Sequence, residues 1–385
     1  MQLVETTSDL QNICSSLSNA PFVCVDLEFL REHTYFAKLC LIQIASPEIE
    51  AIIDPLAPKL DLQPFFELMN NHKVTKVFHS GRQDIELIYQ LGHIIPTPLF
   101  DTQIAASALG YGEAVSYENL VKDLSDTPLD KSSRLSDWSK RPLSPEQLKY
   151  ALCDVTHLAK IYPLIVTKLE QMGRTHWIDD ETDHLCDKSL YEIKPEDVWQ
   201  KIHHRSHSPK FLTLLRELCR WREERAIAKN TPRQSLIKDD ILLNICATFP
   251  LNKEELAAVR GMRADLAKGK IGDEIIEVVQ NVKALDKSDY VTVCDNTKDC
   301  ANIDGALLEI LRMVLRIISA QNNIVPKLIA SDDEIKAFCQ GNKNNVRFMQ
   351  GWRYDIFGKL VNQICSQKTA LSYNADKHTI DIIEL

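Results

Sequence analysis

Five side chains in three separated segments of this 385-residue chain have the types and spacing for metal-assisted chemistry on a phosphate. They are Asp26 and Glu28 in PFVCVDLEF, Asp84 in HSGRQDIE, and Tyr150 and Asp154 in YALCDV. Carboxylate oxygens suit Mg²⁺ or Mn²⁺ better than zinc. Two such ions about 3.5–4 Å apart can generate a hydroxide and stabilise the entering and leaving oxygens of phosphodiester cleavage. The set predicts a nuclease that uses two divalent cations, Mg²⁺ or Mn²⁺.

Local structure explains why these spacings matter. Asp26 and Glu28 end an apolar strand, where residues two apart project from the same face, and a divalent cation would remove their mutual repulsion. The Asp-x-Glu pattern alone is common. Tyr150 and Asp154 lie four apart on a predicted helix and therefore share a face. A phenol with an ordinary pKa near 10 is a poor general base, so Tyr150 is expected to orient the attacking water.

Three neighbouring residues have simpler interpretations. Asp84 follows a tight turn and could be a helix-start acid that the helix dipole favours. His79 is interpreted as a turn or packing residue, because no second histidine completes a zinc-like pair. Asp101 is interpreted as the N-cap of the helix DTQIAASALG, with a remote role at the site as the alternative.

A polar loop precedes the helix that carries Tyr150. Because LDKSSRLSDWSKRPLSPEQ leads directly into that helix, four of its residues are predicted to bind substrate. Its lysine and arginines would meet phosphates, and its tryptophan would stack on a base or anchor the loop. A surface loop of mixed charge is the alternative. The four residues are Lys131, Arg134, Trp138 and Arg141.

Composition and charge limit the class of protein. Hydrophobic residues make up 44% and charged residues 26%, as in globular proteins, and no apolar stretch approaches the roughly 20 residues of a membrane span. The N-terminus lacks a secretion-signal pattern, and the scattered cysteines are expected to be reduced thiols, so a cytoplasmic location is predicted. The net charge is −9, yet residues 201–235 hold nine Lys or Arg against three Glu. That run predicts either an RNA-binding patch or a solvated helix face.

The order of apolar patterns predicts an α/β domain followed by helices. Strands are predicted at 22–27, 39–45, 50–54 and 74–78, the first three as an antiparallel meander, and helices at 61–70 and 82–91. Ser144 should cap a helix that runs to about Leu169, with Pro145 at its first position. From about Ser208 onward the strand signals vanish and the pattern is helical.

Two stretches of the helical region look alike. WREERAIAKNTPRQSLIKDDIL reaches Pro232 and then two aspartates, and RMVLRIISAQNNIVPKLIASDDEI reaches Pro326 and then two aspartates. Farther on, Gly261 in the first copy matches Gly351 in the second. The two prolines are 94 residues apart and the two glycines 90 residues apart. Two matches in order at nearly one spacing predict a duplicated helical module.

The motifs VDLE, HSGRQD and YALCD, with LDKSSRLSDWSKRPL before the last, resemble those of the DEDD exonucleases of the tyrosine subtype. The paired helical modules resemble the HRDC domain that RecQ-type helicases share with ribonuclease D. Together, over about residues 1–375, the chain is similar to the bacterial ribonuclease D family. The resemblance implies an α/β ribonuclease H-like exonuclease domain, a mixed sheet flanked by helices, followed by two small all-α domains. The implied boundaries are 1–195, 208–288 and 296–375.

The same resemblance implies a 3′→5′ exoribonuclease that releases 5′-mononucleotides from RNA 3′ ends, with transfer RNA precursors as expected substrates and no membrane partner. Asp26, Glu28 and Asp154 would ligate the metal that activates the nucleophile. Asp26 would bridge to a second metal on the side of Asp84, and Tyr150 would position the hydroxide. A DNA 3′→5′ exonuclease and a non-catalytic RNA-binding scaffold are the alternatives. Nothing in the sequence demands more than a monomer.

Overall fold

A computed structural model describes residues 2–127, 136–206, 208–291, 304–342, 346–376 and 379–385. The chain divides into two compact units. The first unit is formed by Met1–Glu28, Leu39–Tyr191 and Cys300–Leu385, and the second by Phe29–Lys38 and Glu192–Asp299.

A six-stranded sheet is the centre of the first unit, and its strands are short runs rich in Val, Ile, Leu and Phe. Such side chains favour extended backbone because they pack well on a pleated surface. The strands are β1 (Gln2–Val4), β2 (Phe22–Leu30), β3 (Lys38–Ala45), β4 (Glu50–Ile53), β5 (Thr75–Phe78) and β6 (Leu99–Asp101).

The sheet is mixed, in the order β1-β4-β3-β2-β5-β6. The pairs β1–β4, β2–β5 and β5–β6 are parallel, and β3–β4 is antiparallel. In the parallel part of the sheet Cys24 pairs with Val77, and Val77 pairs with Phe100. The four predicted strands are confirmed within a few residues. The edge strands β1 and β6 were not predicted, because each has only three residues and therefore no measurable periodicity.

Helices cover the sheet, and the predicted starts of two of them are confirmed. The Asp101 carboxylate accepts hydrogen bonds from the N–H groups of Gln103 and Ile104, as an N-cap should. Ser144 caps the helix of Tyr150 and forms a capping box with Gln147. The helices are α1 (Thr7–Leu17), α2 (Gln63–Met69), α3 (Arg82–Gly92), α4 (Thr102–Ala108), α5 (Tyr117–Ser125), α6 (Pro145–Gln171) and α7 (Asp179–Leu185), with 3₁₀ turns at Thr175–Trp177 and Lys188–Leu190.

The C-terminal segment packs within the first unit. The Trp352 ring stacks on Trp177 with centroids 4.2 Å apart and planes 8° apart. Beside this pair, the fully buried Arg353 donates to the Leu328 carbonyl at 2.9 Å, to Glu181 at 2.6 Å and to Asp180. Helices are numbered in chain order, so those of this segment begin at α14; the six helices before them belong to the second unit and are given below. They are α14 (Gly305–Asn322), α15 (Pro326–Ile329), α16 (Asp332–Cys339), α17 (Gly351–Arg353) and α18 (Lys359–Cys365), with a 3₁₀ turn at Arg347–Met349 and a π-helical turn at Tyr354–Gly358.

The segment ends in an antiparallel hairpin, β7 (Thr369–Asn374) and β8 (Thr379–Glu384), in which Leu371 pairs with Ile382 and Tyr373 with Ile380. The expectation that strands end before Ser208 is therefore wrong for the last residues. The signal was present, because TALSYN and TIDIIE are rich in β-branched and aromatic residues, but the runs are short and follow long helical stretches.

The second unit is helical around one apolar core that includes Leu214, Leu218, Leu242 and Ile275. The segment Phe29–Lys38 belongs to it, because Tyr35 donates a hydrogen bond to the buried Glu223 and the Phe36 N–H donates to Asn230 Oδ1 at 3.0 Å. Its helices are α8 (Pro209–Lys229), α9 (Arg233–Leu236), α10 (Asp239–Thr248), α11 (Lys253–Ala257), α12 (Ala264–Lys268) and α13 (Lys270–Ala284), with 3₁₀ turns at Pro195–Lys201 and Lys287–Asp289.

The two helical stretches have the same element order. Both α8 and α14 end at a left-handed asparagine, Asn230 and Asn323, and each is followed by a four-residue helix and a helix that begins Asp-Asp. The duplication and the three domain boundaries stay predictions. None of the described helices is long and apolar enough to cross a bilayer.

Replacing Arg353 with Ala should destabilise the protein by about 2–4 kcal/mol, because a buried cation with three partners is removed and the Leu328 carbonyl loses its donor. Chemical denaturation measures this. Arg312→Ala is the matched control: the Arg312 side chain is 31% exposed, whereas that of Arg353 is fully buried, and it pairs with Asp332 and Glu309, so its loss should cost less than about 1 kcal/mol. Equal losses for both variants would contradict this role of Arg353.

Candidate active site

Three of the predicted acids meet in one place. Ligand oxygens of Asp26, Glu28 and Asp154 all lie within 4.8 Å of one another. Asp26 and Glu28 come from the same face of β2, and Asp154 comes from α6. Half-burial of all three makes this a partly desolvated group of negative charges.

The electrostatic cost of this arrangement is visible in the pKa values. Burial raises the pKa of Asp26 to about 7. Burial and then the charges of Asp26 and Asp154 raise the pKa of Glu28 to about 9, and burial with the charge of Asp26 raises the pKa of Asp154 to about 8. In the described part of the chain, no Lys, Arg or His forms an ion pair with any of the three. An all-oxygen donor set with no counter-charge among the described residues fits a hard divalent cation.

Asp84 lies beside this group, in the first turn of α3. The residue is 7% exposed, and burial, followed by the charge of Asp26, raises the pKa of its carboxyl well above the ordinary value. It is not one of the three acids whose oxygens all lie within 4.8 Å. The structure therefore brings all four predicted acids into one neighbourhood, with Asp84 at its margin.

The turn before Asp84 is held by Asp101. The Asp101 carboxylate accepts hydrogen bonds from the N–H of Ser80 at 3.1 Å and of Gly81 at 2.8 Å, besides capping α4. Gly81 is required by packing, because a Cβ there would lie 2.5 Å from Cβ of Phe78. Asp101 thus combines the two predicted roles, N-cap and remote support of the site.

Tyr117 is a site residue that the sequence did not reveal. Its hydroxyl donates a hydrogen bond to the carbonyl of Cys153, the residue before Asp154, at 3.1 Å. Burial and then the charges of Asp154 and Asp26 raise the pKa of Tyr117. Its ring packs on the half-buried His79, with centroids 5.4 Å apart. His79 is therefore a packing residue, as predicted, and burial lowers its pKa.

Tyr150 lies on α6 four residues before Asp154, so both share a face of that helix. Its ring stacks against Trp138, with centroids 6.2 Å and planes 30° apart. Trp138 is only 3% exposed, so it packs against the phenol in this structure, and its predicted contact with an RNA base stays a prediction.

The other predicted substrate-binding residues fare differently. Lys131 and Arg134 lie outside the described residues. Arg141 is described, and its guanidinium binds the carboxylate of Asp54 and three backbone carbonyls. A phosphate would compete with all these bonds, so the contact of Arg141 with RNA also stays a prediction.

The basic run of residues 201–235 is largely engaged in ion pairs inside the second unit. Five of its nine cations have carboxylate partners, and one of the five, Arg222, is fully buried, so neither an RNA-binding patch nor a solvated face describes the whole run. Lys201, Arg205, Lys210 and Lys229 are exposed, and Lys210 lies 3.6 Å above the ring of Phe249. These four are the cations of the run that remain for a phosphate backbone. The five paired residues are Arg216, Arg220, Arg222, Arg225 and Arg233.

Known proteins match both parts of the chain. A family model described as a 3′-5′ exonuclease matches residues 1–170, and one described as the HRDC domain matches residues 211–279. Ribonuclease D of Bartonella henselae is 40% identical over 369 residues, which cover 96% of this chain and 91% of that protein. Ribonuclease D of Zymomonas mobilis is 39% identical over 384 residues, 99% and 98% of the two chains. The chain belongs to the ribonuclease D family.

The fold agrees with that membership. The crystal structure of Escherichia coli RNase D has a TM-score of 0.81 to this chain at 24% identity, and the match covers 95% of this chain and 98% of that one. The catalytic core of RRP6 from Trypanosoma brucei has a TM-score of 0.56 at 22% identity, over 74% and 80% of the two chains. The predicted fold class is confirmed. As a ribonuclease D, the chain is a metal-dependent 3′→5′ exoribonuclease.

The raised pKa values predict that the metal-free protein loses stability as the pH rises. The unfolded carboxyls release their protons near pH 4, and those of the folded protein only between about pH 7 and 9. The folded state therefore binds more protons in between, and its stability falls from about pH 4 to pH 9. Glu28→Gln, which removes one charge, should raise the melting temperature of chelator-treated protein at pH 9 and change it little at pH 5.

Thermal unfolding at both pH values measures the effect, and Asp123→Asn, an exposed acid on α5, is the control. Mn²⁺ should raise the melting temperature of the wild type more than that of Glu28→Gln, because a ligand that binds only the folded state stabilises it. Equal melting temperatures of the wild type and Glu28→Gln at pH 9 without metal would contradict the electrostatic interpretation.

Proposed function

We propose that this exoribonuclease shortens transfer RNA precursors from their 3′ ends at the site formed by Asp26, Glu28, Asp84 and Asp154, and releases 5′-mononucleotides. The observation that carries the proposal is the convergence of three carboxylates within 4.8 Å, with raised pKa values and no described counter-charge. Such a group is costly to the fold, and its use in holding cations offsets that cost.

Two divalent cations, Mg²⁺ or Mn²⁺, complete the site in this proposal. Asp26, Glu28 and Asp154 would hold the first. Asp26 would also reach the second, on the side of Asp84, whose carboxyl lies near enough for the charge of Asp26 to raise its pKa. When bound, the cations supply an activated water and stabilise the negative charge that develops on the phosphate.

The chain's own groups then position the reactants. The Tyr150 hydroxyl would hold the attacking water one helical turn from Asp154, so that the water approaches the terminal phosphodiester from a defined direction. The exposed cations of residues 201–229 would bind the RNA backbone without reading its sequence. A monomeric state and a cytoplasmic location, where thiols stay reduced, belong to the same proposal.

Asp26→Asn and Asp154→Asn should each lower the rate of 3′ shortening at least about 100-fold, because each removes a charged metal ligand. The measurement uses a 3′-tailed transfer RNA precursor with Mg²⁺ or Mn²⁺, and products resolved by length. Asp123→Asn should act like the wild type, since this acid is exposed on α5. Full activity of Asp26→Asn would refute the assignment of the site.

The substrate class has its own test on matched RNA and DNA 3′ ends of one sequence. RNA should be shortened faster, because the 2′-hydroxyl is the group that distinguishes the two polymers chemically. A chelator should stop both reactions. Equal or faster cleavage of DNA would contradict the choice of RNA, and binding of RNA without release of mononucleotides would indicate a scaffold.

A further inference from the structure

Arg141 lies in the loop before the helix of Tyr150, and its guanidinium makes many hydrogen bonds. An arginine has five N–H donors, and five hydrogen bonds leave this one. Nε and Nη2 grip the two oxygens of Asp54 at 2.6 and 2.7 Å, and Nη2 also reaches the Cys40 carbonyl at 2.7 Å. Nη1 donates to the carbonyls of Trp138 and Lys140, both at 2.8 Å. All of its N–H donors are therefore used within the protein, and we call this set of bonds the Arg141 anchor.

The Arg141 anchor holds the loop to the sheet. Asp54 follows β4 directly, and its side chain is 6% exposed. A second bond, from the N–H of Leu56 to Asp54 Oδ1 at 2.9 Å, fixes the orientation of that carboxylate. Cys40 lies on the neighbouring strand β3. The bidentate Arg–carboxylate fork therefore ties residues 138–141 to two adjacent strands with a defined direction as well as a defined distance.

The loop so held presents Trp138 to Tyr150. The same guanidinium that binds Asp54 binds the carbonyl of Trp138, and the indole, 3% exposed, stacks on the phenol at 6.2 Å. An indole packed against one face of the ring restricts the rotation of the tyrosine side chain about its own bonds. A defined phenol position matters, because misplacing a reacting group by about 1 Å can cost on the order of 100-fold in rate.

We propose that Asp54, Arg141 and Trp138 are positioning residues that fix the Tyr150 hydroxyl for the attack on the RNA 3′ end. The inference rests on the role of Tyr150 in the proposed function. It assigns Trp138 and Arg141 to orientation of the phenol instead of contact with RNA. The sequence assigned no role to Asp54. In this proposal Asp54 holds Arg141, Arg141 holds the backbone of Trp138, and Trp138 packs against Tyr150.

A double-mutant cycle tests this proposal. Trp138→Leu and Arg141→Lys, which keeps the charge but loses the fork, are each made in the wild type and in Tyr150→Phe. In the wild type each should lower kcat about 10–100-fold with KM for RNA changed less than about twofold. Tyr150→Phe has no hydroxyl to place, so adding either substitution to it should lower kcat by less than about twofold further. Trp138→Phe keeps a stacked ring and should retain most of the activity.

Trp177→Leu is the matched control, because it removes a buried tryptophan of the same unit that stacks on Trp352. Its effect should be the same in both backgrounds, and thermal unfolding shows whether each variant is folded under the assay conditions. Single-turnover assays with end-labelled RNA keep the slow variants measurable.

The outcomes separate the two levels of the argument. Full additivity of Trp138→Leu with Tyr150→Phe overturns the positioning role, and so does a loss that lies in KM alone, which would mean direct contact with RNA. An unchanged rate for Tyr150→Phe itself would instead refute the proposed role of Tyr150. Non-additive losses in kcat with unchanged KM support the inference.

Discussion

The desolvation of three half-buried carboxylates, together with their mutual repulsion, is the constraint on which the rest of this structure depends. Asp26, Glu28 and Asp154 lie within 4.8 Å of one another in a partly desolvated place, and their pKa values are raised as a result. A fold gains nothing for its own stability from such a group. The arrangement persists because the surrounding sheet and helices are stable enough to hold the charges together, and because a cation reverses the sign of the interaction.

The surrounding structure shows how the charges are held. Two of the acids lie on one face of β2, and the third lies on α6, whose first turn is fixed by a capping box. Around these elements, hydrogen bonds from neighbouring groups fix the backbone on which the acids sit. Asp101 binds the turn before Asp84, and Tyr117 binds the carbonyl beside Asp154. These hydrogen bonds hold the backbone that carries the acids in one position.

The sequence was sufficient to predict the acids of the site but not the residues that hold them in place. Local periodicity predicts two pairs of site residues, because the spacing of each pair along one strand or helix places both members on the same face. This holds for Asp26 and Glu28 on a strand and for Tyr150 and Asp154 on a helix. Tyr117 and Asp54 act across 36 and 87 residues of sequence, and no local pattern encodes such pairs. Trp138 and Arg141 were assigned from residue type and from the position of their loop before the helix of Tyr150, and neither can tell a guanidinium that binds phosphate from one that binds a buried aspartate. The C-terminal hairpin was missed because its two runs of six residues follow long helices.

The central claim is that these acids converge in order to bind divalent cations, and anomalous scattering from crystals grown with Mn²⁺ and a short RNA tests it most directly. The account predicts two manganese peaks about 3.5–4 Å apart, one of them within about 2.5 Å of oxygens of Asp26, Glu28 and Asp154. Well-ordered RNA at the site with no manganese peak within bonding distance of any of these carboxylates would contradict it.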